Sequence, residues 1–328
     1  MCLLPYEKLE FKIITLKQAN TSPDYGKNIE DRTIEEKLEY GLINVDKPSG
    51  PTSHEISGML KRILNIEKCG HSGTLDPAVT GILPIALNKG TKSLEFFLES
   101  GKEYVCLMRI HKKISEKKLV ETIDKFVGRI KQKPPVKSAV VRKERYRTIY
   151  YIKILEIKGQ NVLFKVGCQA GTYIRKLCYD IGEFLGCGAN MVELRRTRVG
   201  PIRENTIHNL QEISDAYYFY KEKNDSFMLN KIILNIEECI DHIPKIWIVD
   251  SAVSSMINGI DLKSPGIAKL EHRFRKDDIV AVLTLKGELV CFGKALISSK
   301  EIKNNSNAIA LKIEKVIMNQ GIYPRMDK

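Results

Sequence analysis

Eight cysteines occur in the 328-residue chain, at positions 2, 69, 106, 168, 178, 187, 239 and 291, and no two form a C-x-x-C pair. That spacing leaves no zinc knuckle and no dithiol redox motif to assign. No apolar run is long enough to span a membrane, and no secretory leader precedes the first polar residues. The expectation is an intracellular, reducing compartment with free thiols. Neither a phosphate-binding G-x-x-x-x-G-K-[ST] loop nor a Gly-rich dinucleotide fingerprint is present, so nucleotide hydrolysis and hydride transfer have no sequence support. His54-Glu55-Ile56-Ser57-Gly58 starts like a zinc-protease helix but lacks the second histidine at the required offset. There is no serine or cysteine triad to argue for, no internal repeat, and no low-complexity tract beyond the short polar loop Asn304–Asn307.

What is present is positive charge. Fifty-three lysines and arginines face 40 acidic residues, a net charge of +13. An excess of that size favours a polyanionic partner through phosphate contacts, although a solvated basic surface would read the same way. At 43 % hydrophobic residues the composition is that of a globular protein, and the length suits two domains.

Hydrophobic patterning gives the organisation. Residues 1–30 are mixed and polar with one apolar patch at 11–14, and read as an N-terminal extension that docks elsewhere. A strand over 41–46 is broken by Lys47-Pro48-Ser49-Gly50-Pro51. A helix follows, with Ser53 as N-cap and Ile56, Leu60, Ile63 and Leu64 on its apolar face. Strands are expected at 82–87 and 103–111. A helix over 116–127 carries Leu119, Val120, Ile123, Phe126 and Val127 on one side. A hairpin over 148–157 and 162–168 turns at Gly159-Gln160-Asn161. The next helix, 172–185, carries Ile174, Leu177, Cys178, Ile181, Phe184 and Leu185, with Gly186 as its C′ stop. A strand follows at 191–198. Strands and helices mix without βαβ alternation. The fold class is therefore α+β, with a mixed, largely antiparallel sheet flanked by helices. Residues 215–243 read as an aromatic, charged linker. Beyond it, strands at 245–250, 278–285, 288–296 and 308–317, with a tight Lys286-Gly287 turn, suit a small β barrel. The division is 1–30, 31–242 and 243–328.

The segment Gly70–Gly81, GHSGTLDPAVTG, is periodic in neither the helical nor the strand sense and reads as an ordered loop. Its proline biases Asp76 away from the helical region and sets the chain direction. By spacing alone it could be an ordinary polar turn. The stretch 129–151 is basic and interleaved with aromatics: from Arg129 to Arg147 it holds eight cations and one acid, Glu144. It reads either as a loop that closes on a nucleic-acid backbone or as a solvated face. Two further basic groups are Arg195, Arg196, Arg198 and Arg203, and Lys269, Arg273, Arg275 and Lys276.

GHSGTLDP resembles the catalytic motif of the TruB family of pseudouridine synthases. GLINVDKPSGPTSHEI (41–56), GKEYV (101–105), AGTYIRKL (170–177) and ELRRTRVGP (193–201) follow in the family's order. The SHEI variant, the basic segment before the first strand and the C-terminal unit resemble the archaeal and eukaryotic branch that works in box H/ACA ribonucleoproteins. The compact length leans archaeal. The passage from Gly259 to Leu296 resembles a PUA domain, an RNA-binding β pseudobarrel.

The resemblance implies an isomerase that converts uridine to pseudouridine, a reaction needing no cofactor and no metal. It implies that Asp76 is the catalytic carboxylate, acting on the ribose as nucleophile or base. Tyr104 would stack on the flipped target base, and Arg175 would pair with Asp76. Tyr173 and Leu194 would line the pocket, and His71 would position the displaced nucleotide. On pattern alone Tyr104 could be a core aromatic and Arg175 a surface ion pair. The RNA contacts expected are Arg142, Lys143, Arg145 and Arg147 beside the catalytic unit, and Arg273 and Arg275 in the C-terminal unit. The implied partners are a box H/ACA guide RNA, rRNA and tRNA substrates, and small proteins of the Gar, Nop and kink-turn-binding types, with no membrane. A cytoplasmic location follows for an archaeal chain and a nucleolar one for a eukaryotic chain. A guide-independent enzyme of the tRNA TΨC loop and a non-catalytic RNA scaffold are the alternatives. Intact Asp76, Tyr104 and Arg175 weigh against the scaffold.

Overall fold

The computed structural model describes residues 3–8, 12–133, 143–305 and 307–325, and organises them around two sheets. An N-terminal strand, β1 (Ile13–Thr15), precedes the larger sheet in sequence but does not belong to it. The larger sheet comprises β2 (Leu42–Lys47), β3 (Cys69–His71), β4 (Thr80–Leu87), β5 (Lys102–Ile110), β6 (Gly128–Gln132), β7 (Arg145–Lys158), β8 (Asn161–Cys168), β9 (Ala189–Val199), β10 (Ile202–Arg203) and β11 (Ile207–His208). Its path is β11-β2-β4-β9-β5-β8-β7-β6, with β3 beside β4 and β10 beside β9. The pairs β11–β2 and β4–β9 are parallel and the others antiparallel, the mixed, largely antiparallel sheet that the pattern predicts.

β4 is central and almost wholly buried, which is why its sequence is a continuous apolar run. Pro84 lies within it. The Pro84 carbonyl accepts the Ser72 N–H, so its missing donor faces the side where the neighbour changes from β3 to β9. A central-strand proline is tolerated there because β3 ends at His71, so only the reciprocal bond to Ser72 goes unmade.

Among the described residues seven α-helices accompany this sheet: α1 (Ile34–Tyr40), α2 (Ser53–Ile63), α3 (Leu94–Leu98), α4 (Glu116–Asp124), α5 (Ile174–Leu185), α6 (Leu210–Lys223) and α7 (Phe227–Ile232). Several readings change. Thr52 rather than Ser53 caps α2, through a capping box with Glu55, because Ser53 is drawn inward to other partners. Val120 and Val127 are exposed, since α4 turns Leu119 and Ile123 to the core, and Phe184 is exposed on α5. Gly186, left-handed at φ 69°, does end α5. Residues 215–243 are not a linker. α6 and α7 bury Ile213, Ala216, Leu229 and Ile232 in the core that lies between the sheet and α2.

The second sheet contains β12 (Lys245–Ile248), β13 (Leu262–Lys263), β14 (Ile267–Glu271), β15 (Ile279–Leu283), β16 (Leu289–Ala295) and β17 (Ile309–Val316), in the path β1-β14-β12-β15-β16-β17-β13. The strand expected over 245–250 stops at Ile248, and Asp250 opens α8 (Asp250–Ile257). Asp250 is occupied by the N-terminal segment, accepting from the Thr21 hydroxyl and the Ser22 N–H. The first residues thus dock on the last unit, with Ile14 against its core. Between the two sheets Ile82, Phe97 and Val199 pack with Ala281, Leu283 and Phe292, and Phe96 stacks on Phe292 at 3.9 Å. Cys106 and Cys178, distant in sequence, lie side by side in the first core with their sulfurs 3.5 Å apart.

Candidate active site

The loop between β3 and β4 is held almost entirely by its backbone. Leu75 and Val79 are buried, and the Ser53 hydroxyl bonds both the N–H and the carbonyl of Leu75 at 2.9 and 3.2 Å. The Lys47 ammonium is fully buried and donates to the carbonyls of Pro48, Pro77 and Val79 at 2.8–2.9 Å. Burial lowers its pKa, and nearby Asp76 opposes that shift. The Gly50 N–H reaches the Pro77 carbonyl, and the Val79 N–H that of Asp76. With the backbone on both sides held, the Asp76 side chain stands out of the loop, 57 % exposed.

Arg175, in the first turn of α5, donates to Asp76 at 2.5 Å and is 55 % exposed. The pair joins residues 99 positions apart.

Tyr104 reaches the same place from β5. The β5–β9 pairing slips between Glu103 and Tyr104, so that Tyr104 faces Arg196 while Glu103 faces Arg198. The extra residue is Thr197, so it is β9 that bends there and brings Arg196 opposite Tyr104. The Tyr104 hydroxyl bonds the Arg196 guanidinium. Burial raises the phenol's pKa, with Arg196 pulling it down and Asp76 pushing it up. Leu194, two residues before Arg196 on β9, is half-buried against the same core as Tyr104. Tyr173 stands at the N-cap of α5 and is half-buried. His71 ends β3 rather than lying in a free loop. Its Nδ1 is buried, and burial, then Arg196 and His54, lower its pKa. Asp76, Tyr104 and Arg175 therefore meet in one electrostatic neighbourhood, with Leu194 beside it.

Arg196 is the member that sequence reasoning misplaced. It is 1 % exposed, and it binds the carbonyl of Ile82 at 2.9 Å and that of Gly73 at 3.2–3.3 Å, as well as Tyr104. Gly81 lets its backbone approach, because a Cβ there would lie 2.2 Å from the Arg196 carbonyl oxygen. The other arginines of that group are also taken. Arg195 pairs with Asp46 and Glu204, while Arg198 and Arg203 both pair with Glu7. Alternation along β9 puts Arg196 on the face of Leu194, and that was the available signal. Lys47, hidden in a strand-breaking KPSG segment, offered none.

Of the expected RNA contacts, Arg142 lies outside the described residues, as do Pro134, Pro135 and Lys137. Lys143 is exposed, and Arg145 and Arg147 are half-buried at the start of β7. The Arg147 guanidinium lies so close to Gly171 that a side chain there would meet it. Lys131 pairs with Glu144 at 2.7 Å, and Arg129 stacks on Tyr146 at 4.0 Å. Arg275 is exposed. Arg273 is corrected: its side chain is 3 % exposed, bridged to Glu271 at 2.7 Å and to the carbonyls of Asp241 and Ile243. It clamps the start of the second sheet and is turned away from any external phosphate.

Residues 61–174 match the N-terminal domain of the TruB family pseudouridylate synthases, and 175–241 match the tRNA pseudouridylate synthase B C-terminal domain. Residues 244–317 match the PUA domain and 4–57 the DKCLD domain. A probable tRNA pseudouridine synthase B of Nanoarchaeum equitans is 48 % identical over 99 % of this chain and 93 % of its own. That of Pyrococcus furiosus is 47 % identical over 99 % and 96 %. A solved Cbf5-Nop10-Gar1 complex contains a chain 47 % identical with a TM-score of 0.95, covering 99 % of both chains. A chain of an H/ACA RNP bound to a substrate RNA containing 2′-deoxyuridine is 45 % identical with a TM-score of 0.93, over 98 % of this chain and 99 % of that one.

Proposed function

The chain belongs to the TruB family of pseudouridine synthases, and from that premise we propose that it is the catalytic subunit of a box H/ACA guide-RNA ribonucleoprotein that modifies rRNA. It is an RNA isomerase. The carrying observation is the 2.5 Å contact of Arg175 with an Asp76 that the surrounding loop leaves exposed, beside a Tyr104 set opposite Arg196.

In this reading the target uridine is flipped out of its strand, since its reacting atoms are inaccessible in a stack. Its base stacks on Tyr104, whose hydroxyl Arg196 anchors from behind. The Asp76 carboxylate acts on the ribose as the C–N bond breaks, with Arg175 beside it. The uracil turns and forms a C5–C1′ bond in place of the broken N1–C1′ bond; the C5 proton passes to water and N1 takes one up, so the product is an isomer. Tyr173 and Leu194 wall the pocket, and His71 positions the displaced nucleotide. Lys143, Arg145, Arg147 and Arg275 supply phosphate contacts.

The chain divides as an extension (1–30), a catalytic domain (31–242) and a PUA domain (243–328). Its partners are the guide RNA and small proteins of the Gar, Nop and kink-turn-binding types. The Cbf5-Nop10-Gar1 and substrate-bound structures support the particle. No helix among the described residues is long and apolar enough to cross a membrane. The archaeal relatives support a cytoplasmic particle. Their name, tRNA pseudouridine synthase B, favours a second activity on the TΨC-loop uridine of tRNA.

Tritium release from C5-labelled uridine, on an rRNA fragment with and without guide and on a tRNA transcript, separates the two. Asp76→Asn lowers both by at least about a thousandfold without loss of RNA affinity, because a neutral amide cannot replace the carboxylate. Turnover by Asp76→Asn near the wild-type rate removes Asp76 from the mechanism.

A further inference from the structure

The ion pair at the centre of the site does not hold itself in place. Both side chains are more than half exposed, and exposed pairs of this kind contribute about 0–1 kcal/mol. The direction of Arg175 must then come from the backbone that carries it. Arg175 is the second residue of α5, within its first turn. The N-cap, Tyr173, has no side-chain cap bond.

Gln132 instead holds the capping residue itself by its backbone. It is the last residue of β6 and is 3 % exposed. Its Oε1 accepts the Tyr173 N–H at 3.0 Å, and its Nε2 donates to the Tyr173 carbonyl at 3.1 Å. One side-chain amide thus copies both bonds that a neighbouring strand would make. The Tyr173 carbonyl also accepts the first intrahelical bond, from Leu177. Gln169 repeats the device one turn earlier, its Oε1 accepting the Thr148 N–H while its own N–H reaches the Thr148 carbonyl. The segment entering α5 is therefore fastened to the basic hairpin of β6 and β7, which carries Arg129, Lys131, Arg145 and Arg147.

We propose that Gln132 is a positioning residue for this isomerisation: it fixes the Tyr173 peptide, and through it the first turn of α5, so that Arg175 meets Asp76. The proposal rests on the Asp76–Arg175 reading above. It assigns Gln132 no contact with the substrate. A shift of about an ångström at reacting groups costs up to about a hundredfold in rate, so the effect falls on turnover and not on RNA binding.

The test uses the full chain assembled with guide RNA and partner proteins, under single-turnover conditions. Gln132→Ala should slow pseudouridine formation at least about tenfold, with substrate-RNA affinity within about twofold of wild type. Gln132→Glu gives the readout that a merely structural role would not move. An ionised carboxylate can accept from the Tyr173 N–H but faces the Tyr173 carbonyl without a donor. A protonated one restores both bonds. Its rate relative to wild type should rise at least about fivefold from pH 8 to pH 5.5, with unfolding midpoints recorded at each pH to exclude a change in folded fraction. Gln132→Asn, one methylene short, should not rescue. A Gln132→Ala rate within twofold of wild type overturns the proposal. So does a pH-independent ratio for Gln132→Glu, or a loss shared equally by rate and affinity. If Gln132→Ala does not fold, the Gln132→Glu ratio decides alone. Asp76→Asn is run alongside. Activity in that variant sinks the site reading itself, whereas an inactive Asp76→Asn beside a normal Gln132→Ala sinks only the role of Gln132.

Discussion

Two ion pairs in this molecule are alike in chemistry and length, and opposite in setting. Arg175 meets Asp76 at 2.5 Å with both side chains more than half in solvent. Arg32 meets Glu237 at 2.7 Å with side chains 10 % and 6 % exposed. The second pair is bidentate, and Glu237 also accepts the N–H of Leu289 from the second sheet. Arg273–Glu271 and Arg198–Glu7 belong with it, both in the zone where the N-terminal segment and the two sheets meet. In a buried pair each charge is held because the other would otherwise be stranded, so geometry and stability are locked together. In an exposed pair the mutual attraction is small, and either group remains open to a third. Buried charge here joins the parts, while exposed charge is left for the substrate. Arginine content alone does not separate the two uses, which is why Arg196 and Arg198 read from the sequence only as members of a basic group and Arg273 as an RNA contact.

The comparison breaks most sharply if a seam pair is removed. Arg32→Ala leaves the Glu237 carboxylate buried without its cation and should destabilise the protein by about 3–5 kcal/mol. The shift is read as a lower urea midpoint, with turnover per folded molecule unchanged. Arg175→Ala should barely move the midpoint while removing activity. A midpoint shift for Arg32→Ala no larger than that for Arg175→Ala would dissolve the distinction.

Acid probes the seam without mutation. His242 sits between the rings of Tyr6 and Phe97, with Nε2 on the Phe96 carbonyl at 3.2 Å. Burial first, then the charges of Lys102 and Arg273, push its pKa down to about 4. A depressed base binds its proton in the unfolded chain before it does so in the folded one. Its contribution is therefore intact above about pH 6.5 and declines as pH falls toward 4, by about 3 kcal/mol in total. Unfolding free energies across that range should show the loss, and His242→Gln should flatten it. An unchanged slope in His242→Gln would place the acid sensitivity elsewhere.

The smallest effect sharpens the exposed side. Tyr104→Ala should weaken substrate by about 1–3 kcal/mol, the range for base–aromatic stacking. Tyr104→Phe keeps the ring and loses only the bond to Arg196, so its loss should be clearly smaller. Equal losses in binding and rate assays would make the hydroxyl, and with it Arg196, the important group.

Much of this was legible in the residues, because the elements with a clean apolar period formed where that period placed them. β4, β5, β8 and α5 fall within about two residues of their expected limits. Short strands and a Lys-Gly turn announced a small β barrel at the C-terminal end, and resemblance supplied its PUA type. What stayed hidden depends on contacts between distant segments. Nothing local marks Lys47 as a cage of three carbonyl bonds, or Gln132 as a mimic of a neighbouring strand. α6 and α7 looked like a linker because their outer faces carry Tyr218, Phe219, Phe227 and Met228 in the open. β1 was too short to register as a strand until its partner was in view.

That last strand has a consequence for how the chain is made. Ile13 pairs with Glu271, 258 positions later, and Thr15 with Lys269. At a synthesis rate of roughly 5–20 residues per second, the first strand waits roughly 13–50 s for its partner to emerge. Residues 13–15 are thus among the last of the described segments to find a place. When they do, the strand closes the sheet edge at β14 and lays Thr21 and Ser22 over Asp250. A nascent chain cut short before residue 267 would have no partner to offer this strand. Completion of the carboxyl-terminal unit therefore acts as a checkpoint that the amino terminus reads.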